Sequence, residues 1–219
     1  MLETEKKSEV CAMAPIFCYI LSVLIGYLLG SLSPSWLLSH RKKVDFRHKG
    51  TGNLGASNAM ILLGWKWGIL VALLDIGKAA LAVWLCSRLF PDLPLCRVVA
   101  GSAAVLGHLY PFYLRFRGGK GFASCWGMIL GLNWRFALVL VLVCAVLILI
   151  TDYMVVGTVI TSVSYPLYCL ATHQLIAALI LLLVSAQILW KHRENFVRLR
   201  NGTEIGLRRA HRGDLRVKK

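Results

Sequence analysis

The sequence has little charge for its length. Only 16% of its 219 residues are Asp, Glu, Lys or Arg, whereas about 25% is usual in soluble domains. A soluble fold needs a polar exterior, so this composition excludes an ordinary soluble domain. The mean hydropathy is +0.67, and the apolar residues form blocks close to the ~20 residues that a membrane-spanning helix needs. The sequence therefore predicts an integral membrane protein.

Patterns for metal binding and disulfides are also lacking. The seven cysteines include no Cys-x-x-Cys pair, and the six histidines show no ligand spacing. Cysteines inside apolar stretches usually act as small hydrophobic residues. We therefore expect no metal and no cofactor. Met1–Val10 lacks the basic start of a signal peptide, so the apolar stretch after it is predicted to be a retained membrane helix.

The apolar blocks predict an all-α protein with about seven transmembrane helices. Their approximate bounds are 15–38, 67–90, 97–114, 122–132, 136–150, 154–170 and 175–190. A re-entrant or interfacial segment is expected at Ala59–Gly64. Five spans would also place the two termini on opposite sides of the membrane. Residues 1–204 are predicted to form one polytopic domain, followed by a basic tail at 205–219.

The net charge of +15 is concentrated near the predicted membrane ends. Arg41–Lys49 carries five cations against Asp45, and Lys191–Lys219 carries ten cations against three anions. Basic flanks usually mark the cytoplasmic face, which places the N-terminus outside and the C-terminus in the cytoplasm. Such flanks also attract anionic membrane lipids. No nucleic-acid module surrounds them, so nucleic acid is not expected as a partner.

Two glycine-rich loops are the first candidate binding elements. The first has the Gly-x-Gly-x-x-Gly pattern and includes Gly50, Thr51, Gly52, Asn53, Gly55, Ser57 and Asn58. A basic loop precedes it instead of a strand, which excludes a dinucleotide fold. Its small residues allow close backbone approach to a ligand, although a flexible connection between helices would show the same composition.

The second loop is Gly118-Gly119-Lys120-Gly121, which opens a predicted helix at Phe122. Free backbone N–H groups, a helix N-terminus and a lysine together favour an anion. The spacing and the trailing Ser or Thr of a nucleotide-hydrolase phosphate loop are absent. The alternative is a cytoplasmic loop that uses glycines only to turn.

Further polar residues lie in or beside apolar segments. His192 and Asn195 share a face at i,i+3 after the last helix, where a histidine can move protons near neutral pH. Asp75 and Lys78 have the same spacing inside an apolar span, and intramembrane ionisable groups usually pair or serve function. His108 fits a buried hydrogen-bonded histidine and a site residue equally well.

Four segments, taken in order, carry a resemblance to a known family. They are Gly-Thr-Gly-Asn-Leu-Gly-Ala-Ser-Asn at 50–58, Leu-Gly-His-Leu-Tyr-Pro at 106–111, Phe-Arg-Gly-Gly-Lys-Gly-Phe-Ala at 116–123, and His-Arg-Glu-Asn-Phe-Val-Arg-Leu-Arg-Asn-Gly-Thr-Glu at 192–204. The chain resembles the PlsY-type bacterial acyl-phosphate:glycerol-3-phosphate acyltransferases from about Tyr27 to Glu204. The combination is specific, although each motif alone is weak.

The resemblance implies an inner-membrane enzyme with seven helices and a cytoplasmic active site. Such an enzyme transfers a fatty acyl group from acyl phosphate to the 1-hydroxyl of glycerol 3-phosphate, which yields lysophosphatidic acid. It also implies contact with the enzyme that makes acyl phosphate. Thr51, His192 and Asn195 would be catalytic, Lys120 and the glycine N–H groups would hold phosphate, and Glu204 would have a structural role. Thr51 and His192 could each orient or deprotonate the hydroxyl, and Thr51 could instead bind phosphate.

Three positions depart from the family pattern. Ile61 replaces an arginine, and Asp152 and Val155 replace an arginine and a serine before the sixth predicted helix. Thr158 is the nearest residue that could supply the lost hydroxyl. These losses leave open a second reading, in which the chain is a paralogue of altered specificity, or a non-catalytic protein that binds or transports an anionic metabolite or lipid.

Overall fold

The computed structural model describes residues 2–206 and 208, and the side chains of 15–206 and 208. Within these residues all regular structure is helical, as predicted. The α-helices are α1 (Leu2–Ser31), α2 (Pro34–Lys42), α3 (Ala56–Leu63), α4 (Trp65–Leu89), α5 (Leu95–Leu109), α6 (Phe122–Leu132), α7 (Trp134–Thr151), α8 (Met154–Ala171), α9 (Leu175–Lys191) and α10 (Arg193–Arg200). The arginine-rich end of the tail, 209–219, lies outside the described residues.

Five helical segments among the described residues are long and apolar enough to cross a membrane. They are Pro15–Lys42, Trp65–Leu89, Leu95–Leu114, Trp134–Thr151 and Met154–Ala171. α9 qualifies only together with α10, at a bend of 52°. α6 has 11 residues and, at 1.5 Å per residue, reaches only about half of a ~30 Å hydrocarbon core. All seven predicted segments are thus helical, while a count of seven spans stays a prediction.

The first predicted span is broken near its end. α1 ends at Ser31, and α2 begins after Ser33, whose hydroxyl accepts a hydrogen bond from the Trp36 N–H at 3.3 Å. Pro34 occupies the first turn of α2, where its missing N–H costs nothing. The sequence analysis overlooked this Ser-Pro helix start because the apolar run continues through it.

Small residues bring α1 and α5 into close contact. A Cβ at Gly30 would overlap the Ala104 carbonyl, and one at Gly107 would overlap the Tyr27 carbonyl. Lipid tails are as apolar as leucine, so membrane helices associate through this kind of close packing. The arrangement fixes the end of α5, from which the second glycine-rich loop leaves.

Two apolar clusters hold the ends of the bundle. The larger one is formed mainly by α5 to α9. The smaller one lies under the chain between α2 and α4 and contains Phe46, which is fully buried, together with Leu54 and Leu114. Phe46 and Leu54 therefore anchor the first glycine-rich loop against the chain that follows α5.

Candidate functional site

The functional candidates lie at one end of the helical bundle. The chain segments that follow α2, α5, α7 and α9 lie together at this end. Contacts between these connections confirm the placement: the Arg47 side chain donates to the Leu114 carbonyl at 3.2 Å, and Lys120 bonds to Asn195. The candidate loops are thus neighbours in space.

Lys120 is the centre of a polar chain that joins the second glycine-rich loop to α10. Its ammonium donates to Asn195 Oδ1 at 2.5 Å, and Asn195 Nδ2 donates to Glu204 Oε1 at 2.6 Å. Arg198 Nε donates to the other oxygen of Glu204 at 2.8 Å. Lys120 and Asn195, both named from the sequence as site candidates, are therefore in direct contact, and Glu204 fixes the amide of Asn195.

The charges of these hydrogen-bonded side chains favour the binding of an anion. Burial lowers the pKa of the Lys120 ammonium, and Arg198 lowers it further, whereas Glu194 and Glu204 act in the opposite direction. Two cations thus lie close enough to destabilise each other. A phosphate placed between them would relieve that repulsion, because opposite charge favours the protonated form.

His192 lies at the junction of α9 and α10, where it is 6% exposed. Its Nδ1 is 2.9 Å from the Ile188 carbonyl oxygen. A carbonyl oxygen only accepts, so Nδ1 carries the proton and Nε2 is left as an acceptor. Burial lowers the pKa of His192 from 6.5 to about 4, and the imidazole is therefore neutral near pH 7.

The second glycine-rich loop does not offer the N–H groups that the sequence suggested. The Gly118 N–H donates to the Leu109 carbonyl and the Gly119 N–H to the His108 carbonyl, both at 3.1 Å. The expectation that these two groups are free is wrong, because the loop folds back on the end of α5. Neither glycine can use its N–H to hold phosphate in this conformation.

The free donors lie a few residues further on. Within the described residues, the N–H groups of Phe122, Ala123 and Ser124, in the first turn of α6, have no hydrogen-bond acceptor. Gly121 begins this helix with φ 89°, a conformation that glycine adopts readily. The predicted helix N-terminus is thus present directly after Lys120, and it supplies the anion-binding dipole.

Close packing explains the glycine pair. A Cβ at Gly118 would overlap the His108 carbonyl, and a Cβ at Gly119 would overlap the His108 ring and lie 2.7 Å from the Leu54 carbonyl oxygen. The second loop is therefore wedged between α5 and the first loop. This contact brings the chain around Thr51 beside the chain around Lys120.

His108 belongs to a buried cluster beneath that loop. Lys78 Nζ lies 2.7 Å from Asp75 Oδ1 and 2.9 Å from His108 Nδ1, and it donates to the Leu32 carbonyl at 2.7 Å. His108 Nδ1 is also 3.2 Å from Asp75 Oδ1. Asp75 and Lys78 pair as predicted, and His108 is a buried hydrogen-bonded histidine whose Nε2 abuts Gly119.

The first glycine-rich loop is organised by Asn58. The buried Asn58 amide accepts from the Thr51 N–H at 2.8 Å and donates to the carbonyls of Phe46 at 2.8 Å and Lys49 at 3.3 Å. Asn58 is therefore a scaffold residue of the loop, although the sequence suggested that it binds substrate. The Thr51 side chain is exposed, and it is available to a ligand.

The glycines of the first loop are required by its backbone conformation and packing. Gly50 and Gly52 have φ 63° and 69°, and a Cβ at Gly50 would overlap the Asn58 amide oxygen. Gly55 is the residue before α3, and Asn53 lies against it. The described residues contain no group of three or more His, Cys, Asp or Glu that could hold a metal.

Comparison with known proteins places this geometry in a family. The family model described as glycerol-3-phosphate acyltransferase matches residues 20–202. The chain is 38% identical over 206 residues to the glycerol-3-phosphate acyltransferase of Shouchella clausii (strain KSM-K16), which covers 90% of this chain and 99% of that protein. The corresponding protein of Coxiella burnetii (strain CbuG_Q212) is 37% identical over 187 residues, with coverages of 85% and 96%.

A solved structure is similar over the same length. It is the crystal structure of PlsY (YgiH), an integral membrane glycerol 3-phosphate acyltransferase, in its glycerol 3-phosphate form, with a TM-score of 0.80 and 31% identity over 86% of this chain and 95% of that chain. The lysophosphatidic acid form gives a TM-score of 0.77. The chain belongs to the glycerol-3-phosphate acyltransferase family.

The positions that the sequence analysis found to depart from the family pattern differ in burial and in contacts. Ile61 is half-buried on α3 and offers no charge. Val155 and Thr158 are 2% exposed, and the Thr158 hydroxyl donates to the Met154 carbonyl at 3.3 Å. Thr158, which the sequence suggested could supply the lost hydroxyl, thus has its hydroxyl buried and bonded within its own helix. Asp152 instead contacts the C-terminal segment of this acyltransferase homologue.

Two further cations belong to the site region of this family member and were missed from the sequence. Arg198 bonds to Glu204 and acts on Lys120 through its charge. Lys191 lies 4.3 Å from the centre of the Tyr110 ring. The turn at Gly202, which has φ 66°, folds Glu204 back onto Arg198. Gly202 is therefore the residue from which a turn, and with it the contact between Glu204 and Arg198, could have been predicted.

Proposed function

We propose that this chain transfers a fatty acyl group from acyl phosphate to the 1-hydroxyl of glycerol 3-phosphate, which gives lysophosphatidic acid and phosphate. The observation that carries the proposal is the chain of contacts from Lys120 through Asn195 to Glu204, placed at the free N-terminus of α6. Both substrates carry phosphate, one of them is a lipid, and this site lies at the end of a membrane bundle. Family membership supports the same reaction.

Lys120, Arg198 and the first N–H groups of α6 bind phosphate in this proposal. Acyl phosphate is already activated, so positioning of the two substrates and neutralisation of their charges supply most of the rate enhancement. The exposed Thr51 side chain binds at the edge of the same site and orients a substrate oxygen. Asn195 and Glu204 hold Lys120 in place.

The reaction is a direct transfer. The glycerol hydroxyl oxygen attacks the acyl carbonyl carbon, and the bond between that carbon and the phosphate oxygen breaks. His192 Nε2 accepts a hydrogen bond from the attacking hydroxyl. With a pKa of about 4 the imidazole is a weak base. The phosphate oxygen released from the acyl carbon is a much stronger base, so the hydroxyl proton ends on the departing phosphate.

The proposed setting is the cytoplasmic leaflet of the bacterial inner membrane. The basic segments at 41–49 and 191–200 lie at the same end of the bundle as the site, and basic flanks favour the cytoplasmic face. Glycerol 3-phosphate would then enter from the cytoplasm. Acyl phosphate would come along the membrane or directly from the enzyme that makes it.

Purified protein in detergent, given acyl phosphate and glycerol 3-phosphate, should form lysophosphatidic acid and free phosphate in equal amounts. Acyl-coenzyme A should not replace acyl phosphate. His192→Ala should abolish turnover, and Lys66→Ala, at an exposed lysine of α4, is the matched control. Absence of product at high enzyme concentration contradicts the proposal. Stabilisation by glycerol 3-phosphate without any product would instead favour a binding or transport protein.

A further inference from the structure

The segment after Glu204 docks on the turn between α7 and α8. The Arg208 N–H donates to Asp152 Oδ1 at 2.9 Å, and Arg208 Nη2 donates to the Leu149 carbonyl at 2.7 Å. Gly206 is buried, and a Cβ there would overlap the Asp152 carboxylate. The chain beyond Glu204 is therefore attached to the bundle and does not begin a separate tail at residue 205.

The docking site suits an arginine. Asp152 ends α7 in the left-handed conformation, with φ 69°, and its carboxylate faces the incoming chain. Leu149 lies in the last turn of α7, whose carbonyl oxygens lack partners within the helix. A cation is favoured at a helix C-terminus. Arg208 thus bonds to the carboxylate through its backbone N–H, while its guanidinium, with Nε 4.0 Å from Asp152 Oδ1, bonds to the end of the helix.

The docked segment directly follows Glu204, the residue that holds Asn195 and Arg198 in the site. Gly206 and Arg208 follow Glu204, whose carboxylate bonds to Asn195 and Arg198. Asn195 in turn accepts the hydrogen bond from Lys120. On its other side, Glu204 is held by its N–H, which donates to the Arg198 carbonyl at 3.2 Å. Glu204 is thus fixed from both directions along the chain.

We propose that Asp152 and Arg208 are positioning residues for the acyl transfer site. Their contact, which we name the C-terminal latch, holds the backbone at Glu204 so that Asn195 keeps Lys120 aimed at the phosphate of glycerol 3-phosphate. The inference rests on the proposed function. Neither latch residue touches substrate, so release of the latch weakens substrate binding more than it slows the chemical step.

The first test separates binding from turnover. In Asp152→Gly, which keeps the left-handed backbone, and in Arg208→Ala, the KM for glycerol 3-phosphate should rise about tenfold, which corresponds to one lost charge-assisted contact. The kcat should change by less than about threefold. Asp152→Asn and Arg208→Lys should recover most of the affinity. Arg200→Ala, at an exposed arginine of α10, is the matched control.

The second test asks whether the latch acts through Glu204. Asp152→Gly and Arg208→Ala combined should raise KM by less than the product of their separate effects, because both remove the ion pair in which Arg208 Nε lies 4.0 Å from Asp152 Oδ1. In a Glu204→Gln background the latch substitutions should have little further effect. Unchanged KM in the single variants, or equal losses in kcat and in affinity with no recovery in Asp152→Asn, would overturn the inference.

Hydrogen exchange distinguishes failure of the latch from failure of the proposed function. The amides of Thr203 and Glu204, which both donate to the Arg198 carbonyl, should exchange slowly in the wild-type protein and faster in Asp152→Gly and Arg208→Ala, but not in Arg200→Ala. If the wild-type protein makes no lysophosphatidic acid, the proposed function fails and with it the positioning role. If it makes product while these amides exchange equally in all four proteins, the latch alone is refuted.

Discussion

The two glycine-rich loops look alike in sequence and differ in what they present to a ligand. In the first, Gly50 and Gly52 adopt positive φ, and the Thr51 N–H is bonded to Asn58. In the second, Gly118 and Gly119 are needed because the loop packs on His108. Both loops lead into a helix whose first N–H groups have no acceptor among the described residues, but only the second loop places a lysine two residues before that helix. Glycine content alone therefore predicts close approach of a backbone, and the neighbouring elements decide whether the approaching partner is a ligand or the protein itself.

Within the two loops, the largest expected effect tests the charge that the second loop has and the first lacks. Lys120→Ala should lower kcat/KM for glycerol 3-phosphate by about 100- to 1,000-fold, the usual range for one preorganised charge-stabilising donor. The same assay on Lys49→Ala, in the exposed chain before the first loop, should show a loss of less than about threefold. Equal losses in the two variants would remove the distinction between the loops.

The second prediction concerns the buried histidine beside Lys120. His192 has a pKa of about 4 in the folded protein, against 6.5 as its ordinary value. The unfolded chain then binds more protons between these values, so the stability is complete above about pH 6.5 and falls as the pH drops toward 4. The loss at pH 4.5 should be about 2–3 kcal/mol. The first loop contains no histidine, and His48, which precedes it, is exposed.

Thermal unfolding in detergent from pH 7.5 to pH 4.5 measures this effect. His192→Gln can still donate to the Ile188 carbonyl but does not titrate, so its unfolding temperature should depend less on pH than that of the wild-type protein. His48→Gln, which changes an exposed ring, is the control and should keep the wild-type slope. Parallel slopes for all three proteins would refute the buried neutral state of His192.

The third prediction tests the packing role of the second loop. Gly119→Ala should destabilise the protein by about 1–3 kcal/mol, a typical cost of overpacking, because the new methyl group meets the His108 ring and the Leu54 carbonyl. Gly77→Ala is the matched control, since a Cβ there meets nothing within 4 Å and alanine suits a helix better. An unfolding temperature for Gly119→Ala equal to that of Gly77→Ala would contradict the packing explanation.

The helical fold and the choice of Lys120, Asn195 and Glu204 as site candidates came from the sequence for identifiable reasons, whereas the contacts among these three residues were not predicted. Long apolar runs require helices in a membrane, and the ordered motifs of the family carried the site residues. The pairing of Asp75 with Lys78 followed from their i,i+3 spacing and the cost of isolated charge in lipid.

Other features depend on contacts between distant segments and could not be read locally. The bonds that occupy the Gly118 and Gly119 N–H groups come from the end of α5. The buried hydroxyl of Thr158 follows from the rotation of α8 within the bundle, which the apolar pattern left undetermined. The docking of Arg208 on Asp152 joins residues separated by 56 positions. The predicted boundary at residue 204 overlooked it, because a basic tail gives no local signal of attachment.

The smallest expected effect asks whether the first loop can be given the charge that the second has. Ile61 lies on α3 at i,i+3 from Asn58, and the sequence resemblance implies an arginine at this position. Ile61→Arg should lower the KM for glycerol 3-phosphate by about threefold to tenfold, because a further cation would help to neutralise the phosphate. Met60→Arg adds the same charge at the neighbouring exposed position and should leave KM within about twofold. A gain in both variants would indicate general attraction of the anion, and a gain in neither would show that Lys120 and the α6 N-terminus already hold the phosphate without help from the first loop.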